Sequence, residues 1–122
     1  MRDPIRSITL PTLDHGDVVL AEPPWCAGHS HHNPRTARAE LVHVSPVQLL
    51  IVDDWRLGVA FLFHAPYSGQ EPRAAVHLDY GTGRADLTPA TLYALAGAMD
   101  RSADQVRALA DQLTAILAGG EH

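Results

Sequence analysis

The chain contains no lysine, one cysteine and few aromatic residues. All nine of its basic residues are arginine, and Phe, Tyr and Trp together make up 6% of 122 residues. A single cysteine excludes an internal disulfide, which fits a reducing cytoplasm. No apolar run approaches the ~20 residues that a membrane span needs, and Met1-Arg2-Asp3-Pro4 lacks the apolar stretch of a signal peptide. These absences predict a cytoplasmic protein with no membrane association. The arginines form no basic run and the formal net charge is -5, which repels a phosphate backbone and disfavours nucleic-acid binding. The lack of lysine beside plentiful Ala, Gly, Pro and Arg suggests a GC-rich bacterial genome.

What is present is ordinary for a globular chain: 46% apolar and 19% charged residues. The length predicts one domain, 1–122. Ile8-Thr9-Leu10 and Val18-Val19-Leu20-Ala21 are short strand candidates, the first stopped by Pro11 and the second by Pro23-Pro24. Residues 22–46 read as a Cys/His-containing loop followed by an edge strand at Glu40 to Val44. Residues 47–80 read as a β-meander. Val47 to Val52 is expected to be buried on both faces, and Trp55 to His64 alternates, with Trp55 assigned to the core face. Ala75 to Tyr80 returns with Val76, Leu78 and Tyr80 on one face, which would bring His64 and His77 together if the connecting loop closes symmetrically. Asp53-Asp54 and Gly81-Thr82-Gly83 read as turns.

The last third changes period. Thr88-Pro89 supplies an N-cap and a first-turn proline. Leu92, Met99, Val106 and Leu113 recur every seven residues, joined by Leu95, Ala96, Leu109, Ala110, Ile116 and Leu117. This predicts one helix over 88–118, ending at Gly119-Gly120. Ser102 and Gln105 allow a competing capping box, which would split residues 89–117 into a helix-turn-helix; the unbroken seven-residue phase favours a single helix. The fold class expected is therefore α+β, a small antiparallel sheet packed against one long C-terminal helix. Such a helix spans roughly 45 Å, so its excess is expected to meet a protein partner or a second copy, giving a homodimer.

The chemistry concentrates in Trp25-Cys26-Ala27-Gly28-His29-Ser30-His31-His32, with His43 shortly after. A Cys-x-x-His pair on a Gly-containing turn can set a thiolate and an imidazole on one zinc ion. Cys26, His29 and His43 are the first three candidate ligands. The fourth is open among His31, His32 and His15, with His31 the first choice. The competing readings are a buried, inert thiol beside solvated histidines, or a Cys26 nucleophile with His29 or His43 as base, which would need a lowered thiol pKa.

Pro24-Trp25-Cys26-x-x-His29, then His43-x-Ser45-Pro46, then strands and the Ala/Leu-rich helix introduced by Leu87-Thr88-Pro89, resembles a family of small actinobacterial proteins of unknown function. The resemblance runs from about Pro23 onward. It implies a source and an architecture, and no activity. The function expected from the residues is a non-enzymatic regulatory or adaptor domain whose loop is organised by structural zinc. The alternatives are a metal-dependent hydrolase with an open coordination position and an acid such as Asp14 or Asp17 nearby, or a DNA-binding regulator if the helix breaks.

Overall fold

The computed structural model describes residues 6–52, 55–79 and 88–119. It opens with an antiparallel hairpin, β1 (Arg6–Thr12) and β2 (Gly16–Glu22). Both strands run longer than the apolar alternation alone suggests. Pro11 does not stop β1 but pairs opposite Asp17, a placement open to proline where its missing N–H leaves no ladder bond unmade. The turn is closed by Thr12, whose hydroxyl donates to Gly16 O at 2.8 Å and accepts from His15 N at 3.0 Å. Gly16 takes the left-handed backbone, φ 59°, that this reversal requires.

The second sheet holds β3 (His43–Val44), β4 (Gln48–Val52), β5 (Trp55–His64) and β6 (Arg73–Leu78), all antiparallel to β5. Phe63 pairs with both Val44 and Arg73, and Ala60 with both Gln48 and Val76. A strand has two edges, so β3 and β4 lie end to end along one edge of β5 and β6 takes the other. Pro46 interrupts the first edge, and Ser45 repairs it. Ser45 N donates to Leu62 O at 2.9 Å, and Ser45 Oγ accepts from Leu62 N at 2.8 Å. The expected strand within 40–44 is reduced to β3, because Arg38–Glu40 closes into a 3₁₀ turn.

Ala60 and Leu62 are fully buried on the helix-facing side of β5, whereas Leu57, Val59, Phe61 and Phe63 on the other side are half-buried. The core face is thus the one carrying the smaller residues, because a helix must lie close to it. β4 is also one-sided and not buried on both faces: Leu50 is buried while Leu49 and Ile51 are exposed. His64 pairs with His43 and His77 with Val59, so the two histidines do not meet across the β5–β6 hairpin. Asp53-Asp54, Tyr80 and Gly81 to Gly83 lie outside the described residues.

Helix α1 (Pro89–Gly119) is continuous through Asp100 to Ser102, so the turn that a helix-turn-helix needs is absent. Its start is a reciprocal cap: Thr88 Oγ1 accepts from Thr91 N, and Thr91 Oγ1 accepts from Thr88 N at 2.7 Å. The covered stripe runs through Leu95, Ala98, Ser102, Leu109, Leu113 and Ile116. Of the seven-residue series, Leu92, Met99 and Val106 are exposed and Leu113 alone joins the stripe. The small Ala98 and Ser102 let the helix approach the sheet, while Leu92, Met99 and Val106 fall along its flank.

Gly58 sits where β6 comes closest to β5: a Cβ there would collide with the backbone carbonyl of His77 and press on Leu78 Cα. Gly58→Ala is expected to destabilise the protein by roughly 1–3 kcal/mol, since the obstruction is backbone and not a movable side chain. Urea denaturation should show the lowered midpoint with an unchanged slope.

Candidate metal centre

The alternation of β2 puts Val18, Leu20 and Glu22 on one buried face. Val18 and Leu20 join Leu10 and Leu41 in an apolar cluster. Glu22 extends that face with a carboxylate only 7% exposed, a position that is costly unless the charge finds partners. The chain after Glu22 folds back to supply them. Pro23-Pro24 end the strand, and Cys26 N donates to Pro23 O at 3.1 Å to form a turn. Gly28, φ 102°, continues the reversal in a conformation that other residues rarely adopt. His32 N donates to His29 O, and Ala27 N donates to Val44 O at 2.8 Å, which fastens the loop to β3. The rest of the loop is tied to the hairpin. His32 Nε2 contacts Pro11 O at 2.7 Å, Leu13 N donates to Thr36 O, and Arg38 N donates to the Asp14 carboxylate.

These ties bring one donor atom from each of Glu22, Cys26, His29 and His43 within 4.8 Å of one another. Cys26 Sγ lies 3.5 Å from His29 Nε2. His29 Nε2 sits 3.2 and 3.1 Å from the two Glu22 oxygens, and His43 Nδ1 is 3.0 Å from Glu22 Oε1. A tetrahedral ion with bonds of 2.0–2.3 Å sets its ligand atoms about 3.3–3.6 Å apart. The separations of these pairs lie close to that range and the whole group stays within 4.8 Å, so side-chain movements would accommodate an ion. The donor set of one sulfur, two imidazole nitrogens and a carboxylate suits zinc.

The electrostatics of the ion-free group follow from burial. Burial pushes the Glu22 carboxyl up, but the Cys26 thiol and the His29 and His43 rings outweigh it and hold it below its usual 4.5. Burial, reinforced by Glu22, raises the Cys26 thiol above 9.0. Burial also lowers His43 below 6.5, with Glu22 only partly opposing. His43 Nδ1 is buried and makes no hydrogen bond. Its 3.0 Å approach to Glu22 therefore has the distance of a hydrogen bond without the direction. A buried ring nitrogen with no hydrogen bond, beside a carboxylate and a thiol, is the arrangement a bound cation would satisfy. The raised thiol argues against a nucleophilic Cys26, which would need the opposite shift.

Cys26, His29 and His43 are thus adjacent, and Glu22 joins them. His31 is exposed and lies outside the group, on the wall of a surface groove of about 460 Å³ that also includes His29, His32 and Glu40. His15 sits in the hairpin turn, 3.1 Å from Asp14. Glu22 was legible in principle: it occupies the third core-face position of a strand whose first two are Val18 and Leu20, four residues before Cys26. Trp25 packs against Ala60, Leu62 and Leu109, and its ring meets His43 edge-on at 6.4 Å.

The chain is an α+β protein with a cluster of metal-donor side chains, two buried and two half-buried. Over residues 7–115 it matches the model of a domain of unknown function, DUF6907, and it belongs to that family. No curated protein and no solved structure matches it. Among the described residues no helix is long and apolar enough to cross a membrane.

Acid should weaken the ion-free fold in two stages. His43 is held below 6.5, so as pH falls past that value the unfolded chain takes up the proton first and stability drops. Glu22 is held below 4.5; its contribution is intact above 4.5 and is lost as pH falls through its lower folded value. Denaturant titrations of chelator-treated protein from about pH 8 to about pH 2 should show both losses, and His43→Gln should flatten the first. A flat profile would contradict the assignment.

Proposed function

We propose that Glu22, Cys26, His29 and His43 hold a structural zinc ion, and that the domain is a non-enzymatic regulatory or adaptor module. The observation that carries this reading is the convergence of four protein donors at one partly buried point, one of them a buried ring nitrogen with no hydrogen bond. Four protein ligands close a tetrahedral ion, whereas a catalytic zinc keeps a position for water. The hydrolase alternative therefore lacks its open position. The DNA-binding alternative lacks its turn, because α1 is unbroken.

The ion would act as a rivet. Glu22 continues the face of the hairpin cluster, and His43 sits in β3 beside Trp25, which belongs to the cluster under the helix. Joining them fixes the hairpin against the main sheet, adding the binding free energy directly to folding.

Protein purified without a histidine tag should carry about one equivalent of zinc. Chelation should lower the melting temperature by roughly 10 °C or more. Cys26→Ser and Glu22→Gln should each bind zinc at least about tenfold more weakly. Less than about half an equivalent, with melting unchanged by chelator, would overturn the zinc site. Hydrolysis of model esters in proportion to zinc content would overturn the non-enzymatic reading.

A further inference from the structure

Strand β6 pairs with β5 along one edge, and among the described residues no strand occupies its other edge. Exposed sheet edges are usually blunted by proline, charged side chains or a bulge. Arg73–Leu78, Arg-Ala-Ala-Val-His-Leu, has no proline, carries its one arginine at its first position, and pairs with β5 without a register shift. Val76 and Leu78 are 48% and 51% exposed, although they lie on the sheet face that carries α1.

The phase of the ladder shows which groups the edge offers. Asp79 N donates to Leu57 O at 2.8 Å, in register with Gly58 opposite Leu78 and Phe63 opposite Arg73. Odd-numbered residues of β6 therefore direct their backbone N–H and C=O towards β5. Ala74, Val76 and Leu78 direct theirs outward.

We propose that this edge is a self-association surface: two copies pair β6 to β6 antiparallel about a twofold axis at Val76, making one continuous sheet. That register sets Val76 opposite Val76 and Ala74 opposite Leu78, and each of these pairs exchanges outward-facing backbone hydrogen bonds. It also sets Arg73 of each copy opposite Asp79 of the other, at positions where side chains approach most closely. Asp79 already accepts from Arg56 at 2.8 Å, so the pairing gives each carboxylate a second guanidinium. Arg73 lies over its own Phe63 ring at 5.2 Å, on the face where that partner would stand. The adjacent in-phase register puts Arg73 opposite His77 and loses this complementarity. On the helix side the exposed Val76 and Leu78 of both copies become one apolar strip. The surface involves no residue of the metal centre, so the two readings stand or fall separately.

The test is the mass of the full chain in solution by light scattering and sedimentation. Wild type is expected to be a dimer that dissociates on dilution. Val76→Pro removes an outward N–H without touching the β5 ladder, and should be monomeric and folded with unchanged zinc content, its melting independent of protein concentration where that of wild type is not. Arg73→Asp places like charges opposite each other across the axis and should weaken the dimer at least about tenfold. Val76→Cys should crosslink under mild oxidation, because Cα atoms about 5.5 Å apart lie within disulfide range; wild type, with Cys26 alone, is the control. If Val76→Pro fails to fold, the Arg73→Asp dissociation constant and the crosslink decide. A monomeric wild type at the highest soluble concentration overturns the proposal. So does a folded Val76→Pro as dimeric as wild type, or a dimer that neither Arg73→Asp nor Val76→Cys affects.

Discussion

The buried carboxylate of Glu22 is the constraint around which the first half of the chain is organised. It stands on the apolar face of β2, where an unpartnered charge would unmake the hairpin cluster. Cys26, His29 and His43 answer it from three directions. The proline stop, the turn at Cys26 and the positive φ of Gly28 serve that convergence. With the loop placed, Trp25 reaches the helix-side cluster and β3 takes its position on β5.

The two apolar clusters share no residue. Leu10, Val18, Leu20 and Leu41 form one; Ala60, Leu62 and Leu109 form the other. A 122-residue chain ordinarily builds a single core. Here the seam between the clusters is polar and chemical: Glu22, His29 and His43 on one side, the edge of Trp25 on the other. The division explains why the donor group comes from β2, a loop and β3 and not from one element. It also explains why His43, paired to His64 on the central strand, is so deeply enclosed.

The α+β class, the long helix and most strand positions could be read from the chain because hydrophobic period is a local property. Thr88 as a cap and the run from Trp55 to His64 are examples. Cys26, His29 and His43 stood out because the one cysteine sits three residues before a histidine, in the stretch where histidines crowd. Glu22 did not, since glutamate is common, and only its parity with Val18 and Leu20 marks it as buried. The covered face of β5 was illegible, and the stripe of α1 was legible only in part: Leu95, Leu109, Leu113 and Ile116 lie on it as the period suggests, whereas Ala98 and Ser102 do not announce themselves. Close packing selected small residues, Ala60, Ala98 and Ser102, where size alone points to Phe61, Phe63, Leu92 and Met99. Ser45 in place of a ladder residue likewise depends on Pro46 and on a partner strand seventeen positions away.

The hairpin β1–β2 has no strand neighbour among the described residues beyond its own pair. Two strands alone are marginal in water, so this element borrows its persistence from whatever grips it. The grip combines the apolar packing of Leu41 and Tyr67 with the donor group at one end and the His32, Thr36 and Arg38 hydrogen bonds at the other. Its opening therefore need not involve the central sheet. A local opening of β1 and β2 at lower free energy than that of β5, whose two edges are occupied, would follow from this arrangement. The hairpin would then open as a unit of its own, at a threshold set by the four donor side chains together with the packing of Leu41 and Tyr67.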